Sequence, residues 1–403
     1  MAHATETASN ATINNLPGNF IGNFSGFYKQ PTTFPTKAEK VIRTQDFEGL
    51  LVSPKDENTH YPLTGKHVMD TSTTSNGHVI PTTGALLNPT AEWTGKGHSP
   101  LVVVAPGTLG QGPQCAASKS IGSLLAFRSS LDKRQNQGEQ VLSMIANYES
   151  FAVLKLLAAG YKVFIVDYLG GSTGPQACVN NIEAGHVMLD AARTAVDMGA
   201  TTAHTPVGFW GYSQGGAASA LGATLHSSYA PDVNLKGAYA GAPPLDLIQV
   251  NHTIDGTMIT AGALMGLNGF ASRFPDVAVH VDKIMNDKGK KILKRLTNEC
   301  IADSVFSTAY TQTKDLMKDG RPLYQHMRDT PLMRDTPLMR WHMDQQLAAA
   351  HRAPTYQCSS FPIRTTTSSP TGKRKWLTRS GVTPERRPHL CATTTSPACL
   401  ALA

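Results

Sequence analysis

Five consecutive residues, Gly211-Tyr212-Ser213-Gln214-Gly215, set one hydroxyl between two glycines, after a short apolar run and before a train of alanines. The spacing suits a chain that passes sharply from strand to helix and carries a serine at the bend. Strand and helix come close at such a turn. Gly211, Gly215 and Gly216 remove side chains that would collide there, and the serine itself must tolerate a strained backbone. The chemistry on offer is nucleophilic: the Ser213 hydroxyl attacks an acyl carbon. The next amide, that of Gln214, lies at a helix N-terminus, where unpaired N–H groups favour negative charge and can hold an oxyanion.

A G-x-S-x-G match arises by chance about one time in seven in a chain of this length, so the surrounding elements must decide. Residues 1–95 are rich in Asn, Thr, Gly and Pro, show short strand candidates near "FEGLLVS", and read as an N-terminal wrapping region. From there the pattern alternates. "SPLVVVAPGT", "YKVFIVDYLGG", "TPVGFWGYS" and "LKGAYAGAPP" read as buried strands, while "YESFAVLKLLAAGY", "NNIEAGHVMLDAARTAVDMG" and "QGGAASALGATLHSSYA" have helical apolar spacing. Such alternation predicts an α/β fold with a mostly parallel central sheet and helices on both faces, its first part at 96–244. Ser213 then falls between a strand and a helix, the context its motif requires. A second oxyanion donor is expected from the loop "TLGQGPQC" after the first buried strand, where Gly110 and Gly112 let backbone N–H groups approach a ligand.

Between 245 and 345 the strand signals vanish. "GTMITAGALMGLNGFASRF" and "VDKIMNDKGKKILKRLT" read as helices of an inserted cap, or lid, over one end of the sheet. "RDTPLM" at 328–333 recurs at 334–339, a local duplication too short for a repeat architecture. The region 346–403 reads as a remnant of the core C-terminus followed by an irregular basic tail.

Composition narrows the function classes. The chain has 403 residues, 40% hydrophobic and 16% charged, which is ample for a large core. No window approaches the roughly 18 apolar residues of a membrane helix. The first thirty residues lack the basic start and apolar stretch of a signal peptide. The net charge of +7 resides in the tail, where residues 352–403 carry eight Lys or Arg against one acid, Glu385. With no aromatic interleaving, this argues against nucleic-acid binding. Six cysteines form no C-x-x-C pair and no Cys/His cluster, so no metal is expected. "DYLGGSTGPQ" departs from G-x-G-x-x-G at Leu169, and no P-loop occurs, so no nucleotide cofactor is expected either.

"APGTLGQGPQCAAS", "VDYLGGSTG", "NIEAGHVMLDAAR", "GYSQGG", "SYAPDVNLKGAYAGAPP" and "NDKGKKILKRLTNEC" occur in the order and approximate spacing of the secretory lipases, and roughly residues 20–350 resemble that fungal and bacterial family. The resemblance implies an α/β-hydrolase fold with a helical cap. It also implies hydrolysis of carboxylic esters of acyl chains and a secreted or cell-envelope location. The substrate would be a lipid or small-molecule ester, with peripheral contact at lipid interfaces. Ser213 matches the family's nucleophile, Gly110 or a close neighbour its first oxyanion contributor, and Gln214 its second. Cys115 and Cys300 match a family disulfide, which implies an oxidising compartment.

One expectation fails within the sequence itself. A serine nucleophile needs a base and an acid to orient that base, and in α/β-hydrolases both follow the serine on later loops. The family carries its acid in a pattern like Asp-x-Val-Val-Pro, which this chain lacks, and after Asp344 it has no aspartate. Glu385 and His389 are too close together for groups normally held on separate loops. His186 lies inside a helix and His204 just before a strand, where packing or solvent contact accounts for them. The triad acid and histidine are therefore unassigned. The tail suits disorder or a stretch translated out of frame. The loss of acids where the fold still needs its last strands favours the frame error. Two functions follow: a serine esterase or lipase, or a catalytically dead scaffold or lipid-binding protein.

Overall fold

The computed structural model describes residues 26–53, 56–121, 125–130, 141–170 and 175–328. The basic tail, Glu385, His389, His351, Asp344 and all but the first residue of the "RDTPLM" pair lie outside the described residues, as does part of the "DYLGGSTGPQ" loop.

Four short strands make the parallel part of the sheet: β4 (Leu101–Ala105), β7 (Lys162–Val166), β8 (Val207–Tyr212) and β9 (Leu235–Gly241). Three longer strands extend it: β1 (Arg43–Ser53), β2 (Asp56–Thr73) and β3 (Val79–Leu87). The order is β1-β2-β3-β7-β4-β8-β9, antiparallel from β1 through β3 to β7 and parallel from β7 to β9. A separate antiparallel pair joins β5 (Leu125–Ser130) and β6 (Val141–Ala146).

Strand periodicity sorts the core into two layers. Leu101, Val103 and Ala105 of β4, with Phe164 and Val166 of β7, face α2 (Asn181–Asp197) and α3 (Gln214–Tyr229), packing with Met188 and Leu189. The intervening Val102, Val104, Val163 and Ile165 face α1 (Ser150–Ala158), packing with Val153 and Leu157. A strand buried on both faces must read as a continuous apolar run, and "LVVVA" and "KVFIV" do so. Gly160, at φ +86, closes the turn after α1, and the Asn180 side chain caps α2 by accepting from the Glu183 N–H. The helices lie on both faces, and the fold is that of an α/β-hydrolase.

The N-terminal region contributes more to the sheet than its composition suggests. β2 buries His67, Asp70, Thr71 and Ser72, polar residues that mask the strand pattern. They are tolerated because they are partnered: the Thr194 hydroxyl donates to Asp70 at 2.6 Å and the Ser72 hydroxyl to Asp190 at 2.7 Å.

Residues 247–328 form a helical layer: α4 (Leu247–Ile254), α5 (Thr260–Arg273), α6 (Pro275–Ile284), α7 (Asp287–Leu296), α8 (Ile301–Thr308) and α9 (Leu323–Arg328). It has its own core around Leu264, Phe270, Val277, Leu296 and Leu316, each worth about 1.5–3 kcal/mol of burial. The single helix expected over "VDKIMNDKGKKILKRLT" is two helices. Met285 turns extended and pairs with Met317, and Asn286 starts the next helix by accepting from the Gly289 N–H at 3.0 Å.

Candidate active site

Ser213 stands between the last residue of β8 and the first of α3, with φ 55° and ψ −122°. A non-glycine residue in that region is strained by about 1–3 kcal/mol and persists only where its surroundings enforce it. They do so here. The Ser213 N–H donates to the Gly241 carbonyl at the end of β9, 2.9 Å away, and the Ser213 carbonyl accepts the first bond of α3, from Ala217. The three glycines have no room for a side chain. A Cβ on Gly211 would lie 2.1 Å from the Gly215 carbonyl oxygen, on Gly215 1.9 Å from that of Ala105, and on Gly216 2.2 Å from that of Gly241. The Gln214 amide leads α3, where N–H groups lack intrahelical partners and the helix dipole is positive.

The loop after β4 approaches from the side. Its Thr108 hydroxyl donates to Gln214 Oε1 at 2.9 Å. Gly110 lies further along, at φ +124, in an antiparallel bridge with Cys300, where a Cβ would meet the Cys300 Cα at 2.5 Å. Its glycine is demanded by that crossing of chains. The loop residue that shares a cavity with Ser213 is Thr108, two positions earlier. Cys115 and Cys300 are disulfide-bonded, with Cα atoms 5.4 Å apart, which ties the loop to the start of α8.

Ser213 opens into a chamber of about 550 Å³ between the sheet and the helical layer. Its walls are apolar, with Leu247 and Ile254 of α4, Leu267 and Phe270 of α5, and Val305 and Phe306 of α8. Ser213, Thr108 and Tyr148 bring hydroxyls to this lining. Phe306 is 72% exposed and Ile259, also on the lining, 55%. Among the described residues, no histidine or carboxylate lines the chamber, and no group of three His, Cys, Asp or Glu could hold a metal ion. His186 Nδ1 is bonded to the Thr73 carbonyl while its ring stacks on Tyr229, and His204 is exposed ahead of β8. His326 is buried against Asp319, 3.1 Å away, and burial lowers its pKa.

Two residues that the sequence pattern did not single out adjoin the site. Tyr148 lines the chamber and meets the Tyr212 ring edge-on at 6.1 Å between centroids. Glu149, behind it, is buried, and its Oε1 accepts the Gly107 N–H at 2.6 Å. Burial pushes its carboxyl up to about 7, against the opposing pull of that hydrogen bond. The signal available in the sequence was an acid just before an apolar helix, which more often marks a helix N-terminus.

The model of the secretory lipase family matches residues 135–356, more than half of the chain. The chain belongs to the secretory lipase family. Among relatives of this family member, a probable inactive lipase of Mycobacterium tuberculosis is 27% identical over 230 residues, covering 54% of this chain and 49% of the relative. Lipase 4 of Candida albicans is 29% identical over 177 residues, covering 42% and 37%. The chain thus spans about half or less of the length of the curated relatives it matches. In fold it is similar to Candida antarctica lipase A in its closed state, with a TM-score of 0.62 at 19% identity, covering 85% of this chain and 73% of that one. It is also similar to the rice cell wall degrading esterase LipA from Xanthomonas oryzae, with a TM-score of 0.57 at 15% identity, covering 80% and 82%.

Proposed function

We propose that this protein hydrolyses carboxylic esters of acyl chains, triacylglycerols or simpler esters, through an acyl-enzyme on Ser213. One observation carries the reading: a serine held in strained backbone at the head of a helix opens into an apolar chamber. That geometry supports reading the turn as a nucleophile elbow. Ser213 Oγ attacks the ester carbonyl carbon, and the carbonyl oxygen becomes an oxyanion facing the Gln214 N–H and an N–H of the loop after β4. The sequence resemblance offers Gly110 or a neighbour for that second donor, and the shared cavity favours Thr108. Collapse expels the alcohol, which leaves with the proton given up by the Ser213 hydroxyl, and water then attacks the acyl carbon, releasing the acid and returning a proton to the Ser213 oxygen. The apolar walls suit an acyl chain, and the exposed Phe306 and Ile259 suit contact with a lipid interface. A secreted or cell-envelope location is supported by the family and by the Cys115–Cys300 disulfide.

A fluorophosphonate probe should modify Ser213 of the full chain, with the adduct located by peptide mass spectrometry, and Ser213→Ala should not react. An unmodified wild type, or equal modification of Ser213→Ala, contradicts the reading.

A catalytically dead scaffold that holds lipid is the second reading. It is favoured by a chamber lining without histidine or carboxylate among the described residues, and by the relative named as inactive. It requires p-nitrophenyl ester turnover to be absent while a fatty acid still binds. Turnover that disappears in Ser213→Ala excludes it.

A further inference from the structure

The peptide group joining Pro106 to Gly107 is held at both of its polar ends by buried side chains. The Tyr168 hydroxyl donates to the Pro106 carbonyl, and Glu149 Oε1 accepts the Gly107 N–H at 2.6 Å. The next residue, Thr108, is held by its own hydroxyl on Gln214 Oε1. Three side chains from three separate elements therefore converge on three consecutive residues of one loop, Pro106, Gly107 and Thr108. Tyr168 follows β7, Glu149 precedes α1, and Gln214 opens α3.

Glu149 is the expensive member. Only 2% exposed, its carboxyl is pushed up to about 7 by burial. Buried acids are retained where a hydrogen bond or a function requires them. Tyr168 is costly as well, a non-glycine residue at φ 60° with its ring fully enclosed. Tyr148 closes the other side of the same peptide. A Cβ on Gly107 would lie 1.7 Å from the Tyr148 hydroxyl and 3.2 Å from Glu149 Oε1, so a larger residue at 107 would have to displace the Tyr148 side chain. Further along, Ile301 N–H to Leu109 O and Gln111 N–H to Glu299 O stitch the loop to the helical layer.

We propose that Glu149 is a positioning residue for the oxyanion site: with Tyr168 it locks the 106–107 peptide so that the Thr108 amide stands at a fixed place beside Ser213. The inference rests on the reading of Ser213 as the nucleophile, and it assigns the Glu149 carboxyl a part in the acyl-transfer step without contact with substrate. An oxyanion donor is worth about 10²–10³ in rate when removed outright, and a displaced donor forfeits part of that.

The test is the second-order rate of fluorophosphonate modification of the full chain, whose tetrahedral phosphorus places an oxygen in the same pocket. The binding constant for a fatty acid in the chamber and the thermal midpoint are measured beside it. Glu149→Ala should slow modification about tenfold or more and leave fatty-acid affinity within about threefold, because Glu149 itself does not line the chamber. Glu149→Gln keeps the acceptor oxygen and should restore most of the rate. Tyr168→Phe, which loses the donor at the other end of the peptide with little change in volume, should slow modification severalfold even if Glu149→Ala folds poorly. A Glu149→Gln rate as low as that of Glu149→Ala, or a Tyr168→Phe rate equal to wild type in a folded protein, overturns the proposal. A wild type that does not react at Ser213 at all overturns the nucleophile reading instead, which keeps the two failures apart.

Discussion

At the scale of the residue, the bend around Ser213 concentrates the demands of the site. Its three glycines are set by backbone oxygens that cannot give way, since each hypothetical Cβ lies near 2 Å from a carbonyl of the sheet or helix. Gly215→Ala should therefore lower the unfolding free energy by about 2 kcal/mol or more, the scale of overpacking in a closed core. Urea denaturation midpoints check this, and a loss under about 0.5 kcal/mol would show that the turn has slack. Gly262 on α5 is the contrasting case. Its position lines the chamber and a Cβ there meets only Ile254 Cδ1, at 3.8 Å. Gly262→Leu should fold and project into the acyl space. The ratio of kcat/KM for long-chain over short-chain p-nitrophenyl esters should then drop about tenfold or more, the scale of discrimination by a filled apolar pocket.

At the scale of the element, the helical layer is joined to the core by a covalent stitch. Cys115 and Cys300 are separated by 185 residues along the chain, so the bridge closes a long loop that the unfolded chain would otherwise explore. Replacing both with alanine should remove about 2–5 kcal/mol of stability. Because the same bridge tethers the loop carrying Thr108, the change should also slow Ser213 modification. Denaturation and probe kinetics on the double variant read the two effects separately. A stable double variant with unchanged kinetics would show that the Gly110–Cys300 backbone bridge suffices to hold the loop.

At the scale of the whole molecule, buried carboxyls set the pH dependence of stability. Burial pushes Asp70 up to about 8 and Asp190 and Glu149 up to about 7. Each is protonated in the fold at a pH where its unfolded counterpart, near 4, is ionised. The folded state then holds more protons, and stability falls as pH rises toward 7–8. His186, His280 and His326 act oppositely: burial lowers them below 6.5, so they weaken the fold only as pH falls through that value. Asp197 and Asp232, lowered by hydrogen bonds from Lys40 and Arg193, matter only below about 4. Above pH 6.5 the carboxyls act alone. The urea midpoint should therefore decline between pH 6.5 and 8, and Asp70→Asn should flatten the decline. A midpoint that rises over this interval would contradict the assignment.

The four parallel strands, the helices between them and the bend at Ser213 were legible because each is a local pattern: a buried run, a 3.6-residue period, glycines around a hydroxyl. β1 was legible only as the candidate near "FEGLLVS", and β2 was masked because Asp70 and Ser72 are polar and are stabilised by partners on α2 more than a hundred residues away in sequence. The break at Asn286 was missed for a related reason: the apolar period runs through it, and a side-chain cap together with pairing to Met317 ends the helix there. For the site, the sequence by itself determined where the bend falls, since glycines around one hydroxyl, after an apolar run and before a train of alanines, are a local pattern. Only the tertiary structure decided what surrounds it. The cavity that Thr108 shares with Ser213, the hold of Glu149 and Tyr168 on the 106–107 peptide, and the apolar walls of the chamber all come from contacts between segments far apart in the chain, which no local periodicity encodes.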